Sequence, residues 1–202
     1  MTDSFRTLRA PARAEAPKTR GSRFLADALP VAGEAAAQAA LAAVRAREHA
    51  ATHHVWAWRL GPEGAPRASD DGEPSGSGGL PTLREIEARD LTDCLVVVTR
   101  TYGGTKLGTG GLARAYGEAA GLALDAAAVV TRIVRRRVRL QFAFADTAAA
   151  MRLLDVFDAR VAEQTHAADG TTLALDVRAG EVSALAAAFV EATAGRGRVQ
   201  AA

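Results

Sequence analysis

The sequence predicts an α+β chain in two parts, and three observations carry the prediction. Strand-like alternation and helix-like apolar stripes are interleaved through both halves. In the first half, a joint holding Gly103, Gly104, Gly108, Gly110 and Gly111 links an apolar run, Cys94 to Val98, to a helical pattern near Leu112. In the second half, from Val134 onward, the order of elements reads βαββαβ.

The elements follow in chain order. Residues 1–17 carry Pro11, Pro17, three arginines and few large apolar groups, the composition of a flexible tail. Ser22 to Val31 reads as a strand. Gly33 to Arg47 reads as a helix, with Ala37, Ala40, Leu41 and Val44 on one stripe. Thr52 to Leu60 alternates as a strand does. His54, Trp56 and Trp58 fall on one face, and His53, Val55 and Ala57 on the other. Pro62 to Pro81 holds most of the turn chemistry, and Thr82 to Ala88 is a short helix. Leu91 to Thr99 is apolar on both faces and reads as a central strand. Leu112 to Leu124 is helical, and Asp125 to Thr131 is a short connection to the second half.

There, Val138, Leu140, Phe142 and Phe144 alternate with Arg137, Arg139, Gln141 and Ala143 in one strand. Asp146 is placed to cap the following helix through its carboxylate. Val161 to Ala167 and Thr171 to Arg178 are strands joined at Asp169-Gly170, a strong hairpin signal. A helix through Val182, Leu185, Ala186 and Phe189 and a short strand at Arg198 to Ala201 complete a pattern suited to a ferredoxin-like sandwich. The expected division is a tail at 1–17, a first domain at 18–127 and a second at 131–202.

Composition narrows the function classes. The 202 residues are 49% hydrophobic and 24% charged, as in ordinary globular proteins. A net charge of +2 implies nucleic-acid binding only where the charge is clustered. The single cysteine, Cys94, excludes an intrachain disulfide and a multi-cysteine zinc site. In its apolar run it reads as a buried, inert thiol. No span is long and apolar enough for a membrane helix, and no signal-peptide core follows the first arginines, so a cytoplasmic protein is expected.

Three constellations bear on chemistry. The glycine joint precedes a helix whose first N–H groups can cradle an anion, with Arg100, Lys106 and Arg114 adding positive charge. It is neither a P-loop nor a dinucleotide fingerprint. Asp70, Asp71 and Glu73 cluster three carboxylates within four positions. Such a cluster suits a divalent cation or a shared proton, or simply an exposed turn. His53 and His54 are adjacent on a strand and point to opposite faces, so they do not bind one ion together. No metal site and no cofactor are predicted. Arg135, Arg137 and Arg139 project from one strand face, with Arg178 on the neighbouring strand able to join them. That face suits phosphate contact, but it has no aromatic platform for stacking bases.

Two of these stretches resemble signatures of a known family. Residues 70–81, DDGEPSGSGGLP, and residues 97–116, VVTRTYGGTKLGTGGLARAY, are similar in content and order to those of the IMPACT/YigZ family, bacterial two-domain type. Lys18 to Phe24 and His53-His54 before the tryptophans fit the same pattern. Thr101 stands where the family usually has an aromatic, and Gly76-Ser77-Gly78-Gly79 where it has Gly-Thr-Ala-Gly. The resemblance implies a first domain similar to the second domain of ribosomal protein S5. It implies a second domain similar to the last domain of the translocation elongation factor. It further implies a non-enzymatic protein that binds RNA or ribosomal particles and is linked to regulation of translation. The alternative it leaves open is a phosphate or small-molecule site at the signature loops. There the glycine joint would hold phosphate, with Asp70, Asp71 and Glu73 holding magnesium or acting as base. A purely structural role, with Asp71 and Glu73 capping the N–H groups near Gly108 to Gly111, is a third reading.

Overall fold

The computed structural model describes residues 3–61 and 66–201. Residues 62–65 of the turn-rich stretch lie outside the described residues. The chain divides into two compact units, one spanning Phe5–Arg132 and the other Ile133–Ala202 with Met1–Ser4.

The first unit is built on a five-stranded antiparallel sheet. Its strands, in spatial order, are β2 (Ala12–Glu15), β3 (Arg23–Pro30), β6 (Cys94–Thr101), β4 (His53–Arg59) and β5 (Arg67–Ser69). The central strand β6 is buried on both faces, as its unbroken apolar run predicts. Cys94, Val96 and Val98 face helices α2 (Gly79–Ala88) and α3 (Gly108–Asp125), while Leu95 and Val97 face α1 (Glu34–Arg47). The alternation of β4 follows the same division. Val55 and Ala57 join the α2–α3 core; Trp58 and the partly buried Trp56 join the α1 side, their rings stacked 4.4 Å apart. That period of two sends His53 and His54 to opposite faces, which decides what each can touch.

The segment expected as a tail is instead largely strand. β1 (Ser4–Leu8) pairs with β7 (Val129–Ile133), and β2 pairs with β3. Around β2 the hydropathy is low because the packed residues are small. Ala16 is buried and Ala14 packs against the core, while Pro11 and Pro17 flank the edge strand rather than interrupt it. Leu8 is fully buried. The connection expected at Asp125 to Thr131 likewise ends in strand β7.

In the second unit, β8 (Arg135–Phe142), α4 (Thr147–Val156), β9 (Arg160–Ala167), β10 (Gly170–Arg178), α5 (Val182–Ala192) and β11 (Arg198–Ala201) give βαββαβ. The sheet order is β11-β8-β10-β9, all antiparallel. Val138, Leu140, Phe142, Leu173, Leu175 and Val177 pack beneath α4 and α5 with Ala150, Leu154, Leu185 and Phe189. The intervening strand residues occupy the opposite face, which no helix of this unit covers. A Cβ at Gly170 would lie 2.1 Å from the Phe142 carbonyl oxygen, so the hairpin needs glycine there to sit against β8. Asp146 departs from expectation. Its side chain makes no cap bond to α4; both oxygens accept from Arg196, at 2.6 Å and 3.3 Å. A cation competes better for a carboxylate than a backbone N–H does.

Candidate functional site

The acidic signature loop is an internal scaffold. Asp70 accepts hydrogen bonds from the backbone N–H groups of Gly76, Gly78 and Gly79, each at 2.8 Å. Burial opposes its ionisation, but these donors outweigh burial and hold the carboxyl below its ordinary value. Two of them are orphan donors at the start of α2, so Asp70 supplies the cap that helix otherwise lacks. Glycine is sterically required there, since a Cβ at Gly79 would meet the Ser69 backbone at 2.9 Å. Asp71, at φ 46°, accepts from the His54 amide at 2.6 Å and from Arg45 at 2.7 Å.

Glu73 turns inward. Its Oε1 accepts from Arg100 Nη1 at 2.6 Å and from the Tyr116 hydroxyl at 2.7 Å. Arg100 and Glu73 side chains are 6% and 4% exposed. His53 Nε2 lies 3.9 Å from the same oxygen, while its Nδ1 sits 2.8 Å from the Asp71 carbonyl. That carbonyl only accepts, so Nδ1 carries the proton. Arg100 also donates to Ser22 Oγ at 3.3 Å and lies over the rings of Phe24 and Tyr102. Burial, then the bond to Glu73, pushes the Tyr116 hydroxyl far above its ordinary value, so it remains a donor. Cys94, buried beside Asp93, is pushed up to about 12 and is inert as a nucleophile.

This geometry revises several sequence readings. The three carboxylates do not converge on one point. Among the described residues, no three His, Cys, Asp or Glu side chains form a metal-ligating group. Nor do Asp71 and Glu73 cap the Gly108 to Gly111 region; α3 begins with no side-chain cap. The glycine joint is shorter than expected, because α3 starts at Gly108 and takes Gly110 and Gly111 into its first turn. Gly103 serves a close crossing, since a Cβ there would fall 1.9 Å from the Gly21 carbonyl carbon. Gly104 and Gly108 adopt positive φ of 88° and 70°. Lys106 and Arg114 are exposed. Beside α3, a cavity of about 230 Å³ is lined by Arg20, Leu107, Gly111 and Arg114 among others.

The arginine face of the second unit lies on the uncovered side of its sheet. Its four members are not equally neutralised. Arg135 is held by Asp158 and donates to the Asp158 and Asp176 carbonyls at 2.7 Å and 3.1 Å. Arg178 approaches the same Asp158 carboxylate at 3.6 Å. That carboxylate is held below its ordinary value, first by the Arg135 hydrogen bond. Arg137 is paired in register with Asp176, Nε to Oδ1 at 2.7 Å. Arg139 has no side-chain partner among the described residues and is exposed. Register adds Arg160 and Arg198 to this face: Arg160 stands opposite Asp176, and Arg198 opposite Gln141. The alternation of β9 and β11 carried that information, but only the strand order brings it to bear.

Comparison with known proteins agrees with both halves. Residues 20–124 match the Impact N-terminal domain, and residues 140–196 match a domain of unknown function, DUF1949. The chain is 53% identical over 103 residues to an IMPACT family member in the pol 5′ region of Thermus thermophilus, covering 51% of this chain and 55% of that one. It is 40% identical over 116 residues to the family member YvyE of Bacillus subtilis, covering 57% and 54%. It spans about half the length of these two relatives. Against a family member of Haemophilus influenzae it is 30% identical over 178 residues, covering 87% of this chain and 86% of the relative. A crystal structure described only as that of an hypothetical protein superposes with a TM-score of 0.74 at 28% identity, covering 100% and 98% of the two chains. With the Impact N-terminal domain matching half of its length and a relative matched over most of both chains, the protein belongs to the IMPACT family.

Proposed function

We propose that this IMPACT-family protein is a non-enzymatic RNA-binding protein of the translation apparatus, contacting ribosomal particles in the cytoplasm through the uncovered sheet of its second unit. The carrying observation is Arg139, an exposed arginine without an acidic partner among the described residues, on a face that also presents Arg137, Arg160 and Arg198. Cations held in place by a sheet and left unneutralised attract a phosphate backbone. The strand order β11-β8-β10-β9 favours a ferredoxin-like description of this unit. The family resemblance, which implies a likeness of the first unit to ribosomal protein S5 and of the second to an elongation-factor domain, supports the ribosome as the partner.

The test is co-sedimentation of the purified protein with ribosomal particles at low and raised salt. Salt-sensitive binding, lost when Arg137 and Arg139 are both changed to Glu, is the expected result. Binding unaffected by that double change removes this surface from the proposal.

A second reading places a phosphate-bearing small molecule in the cavity beside the first turn of α3, lined by Arg20 and Arg114 together with Glu118. The signature carboxylates are already engaged, so magnesium is not part of this reading. Stabilisation in a thermal-shift screen with nucleotides, present without magnesium and lost on Arg114→Ala, is its signature.

A further inference from the structure

Two hollows lie on the uncovered face of the second unit, of about 350 Å³ and about 250 Å³, and they share Gln141 and Thr172. The two adjoin there, and together they are treated as one trough. Its charge is ordered by the strand sequence. On the β11–β8 side stand Arg198 and Arg139, neither with an acidic partner among the described residues; on the β9 side Glu163 is the charged residue that lines the trough, with Arg160 farther along the same strand, outside the lining. At one end, Asp169 lies in the β9–β10 hairpin, and Arg196 is held by Asp146. Gln141, Thr172 and Thr165 form one row across β8, β10 and β9 beside them, and their side chains make no hydrogen bond within the described residues. Neighbouring strands are about 4.8 Å apart, so Arg139 and Glu163, two strands distant, are separated by roughly 10 Å. A nucleotide spans a similar distance from its phosphate to the far edge of its base.

Resting on the RNA-binding reading above, we propose that this trough takes a single RNA strand in a fixed orientation, with phosphates against Arg139 and Arg198 and base edges toward Glu163. A duplex presents phosphates on both flanks of each groove, and the acidic side would repel one of them. A single strand is anionic on one edge only. A carboxylate accepts hydrogen bonds and donates none when ionised. It therefore favours bases with an exocyclic amine, as in its pairing with the cytosine N4 amine, and disfavours uracil. The polar floor supplies hydroxyl and amide groups within reach of ribose hydroxyls. With no aromatic on this face among the described residues, selectivity rests on hydrogen bonding rather than stacking.

The test measures fluorescence anisotropy of labelled twelve-nucleotide oligo-cytidine and oligo-uridine RNA with the full chain. The native protein and the variants Glu163→Ala and Arg198→Glu are compared, with melting curves to establish that each folds. The native protein is expected to bind oligo-cytidine about tenfold more tightly. Glu163→Ala is expected to bring the two affinities within about twofold, by weakening oligo-cytidine alone. Arg198→Glu is expected to weaken both equally and to reduce the salt dependence by about one ion. Equal affinities for the two oligomers in the native protein, or a preference that survives Glu163→Ala, overturns the orientation. Ribosomal binding lost on Arg139→Glu would then still uphold the broader reading. If neither oligomer nor ribosomal particle binds, both fail.

Discussion

Glu73 and Asp176 each accept from an arginine at closely similar distance, 2.6 Å and 2.7 Å. The two pairs nonetheless do different work. Glu73 and Arg100 are 4% and 6% exposed and share their site with Tyr116 and His53. Asp176 and Arg137 are 37% and 50% exposed on an uncovered sheet. In the first pair neither charge has water to fall back on, so each depends on the other. In the second, water and salt replace either partner at small cost. The signature carboxylates, for all their chemical type, are spent on arginines and backbone N–H groups of their own unit. The plainer strand face keeps charge in reserve. Residue type alone therefore does not locate a site; the state of its partners does.

The strongest way to break this contrast is Glu73→Ala. It leaves a buried guanidinium whose Nε already has no hydrogen-bond partner among the described residues. The expected cost is about 3–5 kcal/mol, seen as a large fall in the unfolding midpoint of the first unit by urea denaturation. Oligonucleotide binding below that midpoint should be unchanged. A variant as stable as the native chain would mean that Arg100 is not held as described.

Asp70→Asn comes next. Its amide group would face three N–H donors with one acceptor oxygen, costing about 1–3 kcal/mol. The pH dependence is specific. Because the folded pKa is depressed below 3.8, the contribution is complete above the unfolded value and is lost as pH falls through the folded one. The variant's stability should thus change less than the native chain's on acidification below about pH 4. Parallel acid profiles for the two proteins would contradict the role assigned to Asp70.

How much of this was legible beforehand follows from the range over which each signal acts. The both-faced burial of β6, the opposite faces of His53 and His54 and the alternation of β8 all follow from local period. The structure agrees with each. Strand β2 is hard to read because Ala12, Ala14 and the neighbouring Ala16 carry little hydropathy even where they are packed. Helix α3 begins within the glycines, where local propensity argues against helix and tertiary packing overrides it. The inward turn of Glu73 was not readable, since it depends on Arg100 and Tyr116 arriving from β6 and α3. Asp146 departs from the expected cap for the same reason: its partner, Arg196, lies fifty positions away.

On the sheet, Arg139→Glu should weaken RNA binding by about tenfold, or about 1.4 kcal/mol. The slope of binding against salt should fall by about one, with stability unchanged within about 0.5 kcal/mol. Full retention of affinity would transfer the contact to Arg160 or Arg198.

The smallest effect is the most discriminating. Arg137→Ala removes a cation that Asp176 already neutralises, so its loss should cost under about 1 kcal/mol in stability. Affinity for RNA should fall less than for the equivalent Arg139→Ala. Asp176→Asn frees Arg137 instead, and should strengthen binding at low salt while leaving the fold intact. If Arg137 and Arg139 prove equal by titration, phosphate displaces Asp176 from its arginine on binding. The Asp176→Asn gain should then vanish once salt is high enough to screen an exposed pair. If they prove unequal, the ion pair survives in the complex, and Asp176 sets which arginine on β8 the backbone meets.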